Sequence, residues 1–243
     1  YAVRVEGPLV AGIHAAMRRV WRLVRWASLG RRPPAPPPPP AMPVACGTTP
    51  AALRLRDNLR HRRDIEDAYL AAIGTARSTI VIANAYFLPG RRFARELLAA
   101  ARRGVRVRLL LQGKPDHILL HYATLALYDR MLGAGIRVFE YAEAHLHAKV
   151  AVVDGDWATV GSSNIDPFSL LLAREANIVV RDESFATTLL ASLDAAIATS
   201  SREILPGEQR RRGWLQRLAS VAAYALVRLL LGVTRYGGRE YSG

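Results

Sequence analysis

From about residue 52 onward, apolar residues alternate between helical stripes and short continuous runs. Residues 64–76 have helical spacing, and residues 79–85 form an apolar run of strand length. Residues 92–103 read as a helix that Gly104 stops, followed by a strand over 105–111. A second such pair follows, a helix over 119–132 ended by Gly133 and Gly135, then a strand over 136–141. Residues 150–153 are a short apolar run. Asp154-Gly155 is a turn dipeptide, and residues 157–160 return as the hairpin partner. A strand over 176–180 and a helix over 184–197 complete the pattern. Helices and strands in this order predict an α/β fold, a mixed central sheet covered by helices.

The flanks differ. Residues 31–43 (RRPPAPPPPPAMP) lack amide donors at most positions and predict a semi-rigid polyproline II spacer; a ligand for a proline-binding module is the other reading. Before it, residues 3–10 resemble residues 178–185: a strand, a polar turn, and an apolar residue opening a helix. This predicts a strand over 3–6 and a helix over 11–25. After the α/β region come Arg210, Arg211 and Arg212, then a 20-residue apolar stretch, Trp214–Val233, broken by Gln216, Arg217 and Arg228. Two Arg inside the stretch make spanning a bilayer costly. An amphipathic helix lying in the interface fits it, as does a helix packed on the domain.

The chemistry concentrates in one hairpin. His147, Lys149, Asp154, Gly161, Ser162 and Asn164 spell H-x-K-x4-D-x6-G-S-x-N. His147 and Lys149 are two apart on a strand, so they share a face. The turn returns Ser162 and Asn164 to their end of the hairpin. An imidazole can attack phosphorus or carry a proton, while an ammonium, a hydroxyl and an amide hold phosphoryl oxygens. Only two of the 34 basic residues are Lys, and one occupies the motif. Asp154 lies roughly seven strand rises of 3.3 Å from His147, which suits a turn or an ion pair better than the chemistry. The same distance argues against a metal site of His145, His147 and Asp154. His117 and His121, in or beside a helix, read as packing or surface residues. Tyr86 and Phe87 fit either core packing or substrate contact.

The motif resembles the signature of the phospholipase D superfamily. Several stretches are similar to bacterial cardiolipin synthases of the short B type: 56–58 (RDN), 83–90 (ANAYFLPG), 112–116 (QGKPD) and 139–141 (FEY). The resemblance implies a phospholipase D-like α/β/α sandwich, one of two pseudo-repeated halves. Residues 1–30 would then end a first half, 31–51 link, 52–205 form the second half, and 206–243 associate with the membrane. It implies the catalytic set His147, Lys149, Asp154 and Glu175, with Glu175 orienting His147, and phosphate binding by Lys149, Ser162 and Asn164. It implies no metal and no organic cofactor. The expected activity is a phosphatidyl transfer onto phosphatidylglycerol through a phosphohistidine, at the cytoplasmic face of the membrane. The offset of 175 residues between the repeats predicts a first H-x-K motif upstream of Tyr1.

Size and charge are compatible with this. The chain has 243 residues, 51% of them apolar, enough for a sizeable core. A net charge of +14 points to an anionic partner, a lipid surface or nucleic acid. The alternative is therefore a single-motif nuclease of the same superfamily that pairs two chains, and a third class is an anion-binding protein without turnover. The single cysteine, Cys46, excludes an internal disulfide framework.

Overall fold

The computed structural model describes residues 1–28, 34–35, 37–38, 46–57, 60–114, 117–166 and 173–233. Eight strands form one sheet: β1 (Ala51–Arg56), β2 (Thr79–Asn84), β3 (Arg106–Gln112), β4 (Arg137–Tyr141), β5 (Lys149–Val153), β6 (Trp157–Gly161), β7 (Glu175–Arg181) and β8 (Ser201–Ile204). Their order is β1-β7-β6-β5-β2-β3-β4-β8. Strands β2, β3 and β4 are parallel, joined by the helices α2 (Asp64–Thr75, preceding β2), α3 (Arg91–Arg102) and α4 (Ile118–Gly133); the remaining pairings are antiparallel. Helix α5 (Glu183–Ser200) follows β7.

Both faces of the sheet are buried, which is why its central strands read as continuous apolar runs. One core lies under α2, α3 and α4 and includes Ile80, Ile82, Leu109, Ala151 and Val153. The other lies under α5 and includes Val81, Leu110, Val150, Val152 and Leu193. This is the α/β sandwich with a mixed sheet that the sequence predicts. The hairpin turn is also as read. Asp154 (φ 51°) and Gly155 (φ 78°) are both left-handed, as a type I′ turn requires.

The flanks need correction. Residues 1–6 form no strand, although Val3 packs against the α5-side core. The end strand of the sheet is β1, which pairs with β7 on one side, and residues 1–6 do not add to its other edge. Helix α1 runs Leu9–Ala27, and the Pro-rich stretch bonds to it: Trp21 Nε1 donates to the Pro34 carbonyl (2.8 Å) and Arg18 to that of Pro37 (3.0 Å). Strands β1 and β8 were not expected. β1 starts at Ala51, the last residue of the expected 31–51 link. At the C-terminus, α6 (Pro206–Arg211) precedes α7 (Trp214–Val233). α7 packs on α4 through Ser220, Ala223 and Val227, so the packed-helix reading holds for one of its faces. Among the described residues no helix is long and apolar enough to cross a membrane.

Candidate active site

Apart from Asp154, the motif residues gather where β2, β3 and β4 end, the crevice that parallel strands open at their carboxyl ends. Lys149 opens β5 and is buried, at 6% exposure, while His147 two residues earlier is exposed. Register explains the surroundings. Lys149 pairs with Asn84 of β2, and Gly161 of β6 pairs with Asn177 of β7. The β5–β6 register carries Lys149 opposite Gly161. Asn84, Lys149, Gly161 and Asn177 thus form one row on the α2–α4 face.

That row accounts for the glycine in the motif. A Cβ on Gly161 would fall on the Asn177 side-chain amide and lie 2.5 Å from the Ala176 carbonyl oxygen. Asn177 fills the place a side chain would take. Its Oδ1 accepts from the Ser163 amide (3.3 Å), and its Nδ2 donates to Thr159 Oγ1 (3.2 Å). On the other flank, Asn84 Oδ1 accepts from the Ile165 amide (3.1 Å), and the Ile165 carbonyl accepts from Leu88 N (2.7 Å). Two buried asparagines therefore pin the loop that carries Ser162 and Asn164. Asn84 is fully buried, and its Nδ2 has no acceptor among the described residues. A buried donor left this way costs about 1–3 kcal/mol.

Glu175 opens β7 opposite Arg56 of β1. Its carboxylate accepts from Ser162 Oγ, and that hydroxyl in turn accepts from the Ala176 amide (3.1 Å). Burial raises the Glu175 pKa above its ordinary value; the Ser162 bond and the Lys149 charge oppose this, and the buried Asp166 adds to it. Glu175 and Lys149 therefore share one electrostatic environment. The family resemblance implied that Glu175 orients His147, yet among the described residues His147 makes no hydrogen bond.

Asp154 is not brought to the site. It stands at the far end of β5, where its carboxylate accepts from the amides of Arg77 (2.7 Å), Ser78 (2.8 Å) and Thr79 (2.9 Å) and from Ser78 Oγ (2.9 Å). Burial pushes its pKa up, but these bonds outweigh that and hold it below the usual range. Its work is to clamp the start of β2 to the hairpin turn.

Beside the motif, a small cleft is lined by Tyr86, Gln112, His117, His121 and Tyr128, among others. Gln112 holds the approach to the motif: its Oε1 accepts from the Leu146 amide (2.7 Å) and its Nε2 meets His145 Nδ1 (2.9 Å). Tyr86 meets the His117 ring edge-on, at 5.3 Å between centroids. His117 and His121 thus line a cavity, a role that their helical spacing did not signal. Burial lowers the His121 pKa against the opposing charge of Glu140, with Arg212 lowering it further. Phe87 is a core residue. Lys114 is exposed and donates to the Glu143 carbonyl. The sequence reading also passed over Asn84, Asn177 and Gln112. Their signal was a polar side chain inside or ending an apolar strand.

Comparison with known proteins places this arrangement. A family model described as "Cardiolipin synthase, PLD-like domain" matches residues 69–197. Cardiolipin synthase B of Escherichia coli (strain K12) is 40% identical over 238 residues, covering 94% of this chain and 54% of the relative. Cardiolipin synthase 2 of Bacillus anthracis is 34% identical over 167 residues, 69% of this chain and 32% of the relative. Among solved structures, the phospholipase D family member Nuc from Salmonella typhimurium superposes with a TM-score of 0.55 at 19% identity, over 65% of this chain and 99% of that one. Phosphatidylserine synthase from Haemophilus influenzae Rd KW20 gives 0.59 at 13% identity, over 74% and 46%. At those identities the structures speak for the fold alone. The chain spans about half the length of the cardiolipin synthases B that it matches. It belongs to the cardiolipin synthase family of phospholipase D-like domains.

Proposed function

We propose that this chain supplies one half of a cardiolipin synthase-type site that moves a phosphatidyl group onto phosphatidylglycerol. The observation that carries the reading is a buried Lys149 opening β5 two residues after an exposed His147, beside a desolvated Glu175. A histidine of the other half attacks the donor phosphorus, forming a P–N bond as the P–O bond to the leaving alcohol breaks. His147 gives that alkoxide its proton. It then takes the proton of the acceptor hydroxyl, whose oxygen bonds to phosphorus as the P–N bond breaks and frees the histidine. Lys149, Asn164 and the donor Nδ2 of Asn84 stabilise charge on the phosphoryl oxygens, and Ser162 assists. Glu175 swings from Ser162 to the imidazole when the site closes, which stabilises the imidazolium. The cleft of Tyr86, His117 and His121 receives the acceptor alcohol.

Two histidines need two H-x-K motifs. No other His of this chain has a Lys two residues later, and the relatives are about twice as long. The second motif therefore comes from the other half. The chain docks on the cytoplasmic membrane surface through α7, whose outer face is apolar. The test is to assay residues 1–243 for cardiolipin formation from phosphatidylglycerol, alone and with the upstream half, while measuring mass in solution. Silence alone and activity on complementation is the expected result. Activity from a monomer refutes the two-half site. Activity from a homodimer favours the arrangement of the single-motif nucleases.

A further inference from the structure

Helix α1 has the surface of a covering helix and nothing beneath it. At about 100° per residue, Val10, Ile13, Met17, Val20, Trp21 and Val24 fall within one narrow arc, an apolar stripe along the helix. Arg19 and Arg22 fall on the opposite side. α1 lies beside β1, yet none of its 19 residues is buried, and Met17 and Val24 stay 61% and 42% exposed.

The partial repeat accounts for the stripe. In the later copy, α5 follows β7 and buries Ala186, Leu189 and Leu193 on the sheet, with Ala196 and Ile197 packed beside them. An offset of 176 residues, one more than that of the segment before the helix, sets Val10, Ile13, Met17, Val20 and Trp21 on those five positions. The turn of the later copy is thus one residue longer. The segment before α1 fits the same scheme. Val3 and Val5 alternate with Arg4 and Glu6, as in a strand, at the place that β7 holds before α5. Residues 1–6 nonetheless pair with no strand of this sheet. Trp21 is prepared for burial, since its Nε1 already donates to the Pro34 carbonyl and covering the ring leaves no donor unpaired. A bilayer interface would accept an Arg-bearing apolar helix too. It would leave residues 3–6 without a ladder and the coincidence with α5 without a cause.

We propose that residues 3–27 are a docking unit for the other half of the enzyme. Residues 3–6 pair into the sheet of that half, and the α1 stripe covers one of its faces as α5 covers this one. The occupant is therefore the sheet of a second phospholipase D-like half. The proposal rests on the two-half reading of the site and is independent of the transfer chemistry.

Hydrogen exchange read by mass spectrometry, compared between residues 1–243 and a protein containing both halves, tests this. Residues 3–6 should exchange as an open chain in the first and on the order of a hundredfold more slowly in the second, with α1 slowed alongside. Met17→Glu with Val20→Glu should lower the unfolding midpoint of the two-half protein by about 5 °C or more, because two carboxylates enter an apolar contact. The same pair should leave the midpoint of residues 1–243 unchanged. Arg19→Glu with Arg22→Glu, on the opposite side, should lower neither. Residues 3–27 that stay open in a two-half protein able to make cardiolipin overturn the docking unit and spare the two-half site. Activity from a monomer of residues 1–243 overturns both. Protection of α1 by phosphatidylglycerol vesicles but not by the second half would assign the stripe to the membrane. A dimer of residues 1–243 abolished by Met17→Glu would assign it to a second copy. Either result refutes the proposal.

Discussion

Asp154→Ala separates a structural from a catalytic role within the motif. The substitution removes a carboxylate that accepts four hydrogen bonds, from the amides of Arg77, Ser78 and Thr79 and from the Ser78 hydroxyl. Water can reach much of this turn, so each bond contributes about 0.5–1 kcal/mol net, the lower part of the usual range. The four together stabilise by about 2–4 kcal/mol. Asp154 also sits at φ 51°, where alanine is disfavoured by a further ~1 kcal/mol relative to aspartate. The expected loss is therefore about 3–5 kcal/mol. Asp154→Asn keeps the backbone tolerance and one acceptor and should lose about half as much. The pH dependence has a fixed sign. The native carboxyl titrates below its ordinary value. Its stabilisation is full above the unfolded pKa and is lost as the pH falls through the native one. The gap between wild type and alanine should thus be widest near neutrality and close in acid. Urea unfolding at both pH values reads the gap, and transfer assayed well below the unfolding midpoint should stay near wild type. A variant of unchanged stability that has lost transfer would return Asp154 to the chemistry and refute this reasoning.

Glu175→Gln should lower turnover and spare lipid affinity, since an amide still accepts a hydrogen bond but cannot stabilise an imidazolium. Burial holds the Glu175 pKa up, so wild-type turnover should fall as acid protonates it, and this limb of the profile should vanish in the variant; lost affinity with preserved rate would contradict the role. Gly161→Ala should destabilise by about 1–3 kcal/mol through the clash with Asn177 and displace the Ser162–Asn164 loop. In an Asn177→Ala background the cost should be smaller, with a coupling above about 0.5 kcal/mol; additive effects would absolve the Asn177 side chain.

The parts of the fold legible in the sequence are those where local pattern and burial agree. Buried β2, β3 and β5 announced themselves as apolar runs, and the Asp154-Gly155 hairpin as a turn dipeptide in its left-handed conformation. β1 and β8 lie at the two ends of the sheet, where AALRLR has two Arg in six positions and SREI has one apolar residue in four. Their pairing is settled by β7 and β4, over 120 residues and about 60 residues away in the chain, and no local signal records it. The strand expected over residues 3–6 is the converse case: its pattern was acceptable, yet these residues do not join the outer edge of β1. In the site, spacing alone placed Lys149 and His147 on one face. It could not place Asn84 and Asn177, because their relation to Lys149 and Gly161 is one of register across strands. The partner of Glu175 was assigned from resemblance, and the geometry gives it Ser162.

The central claim is that His147 carries a proton or a bond in the transfer step. Its most direct test is the rate of cardiolipin formation from phosphatidylglycerol by His147→Ala in a protein containing both halves, with the unfolding midpoint measured alongside. His147 is exposed and makes no hydrogen bond among the described residues, so its loss should leave the fold intact. The account predicts a rate lower by about 10² to 10⁴-fold at unchanged stability. A folded variant that keeps more than about a tenth of the wild-type rate would contradict it.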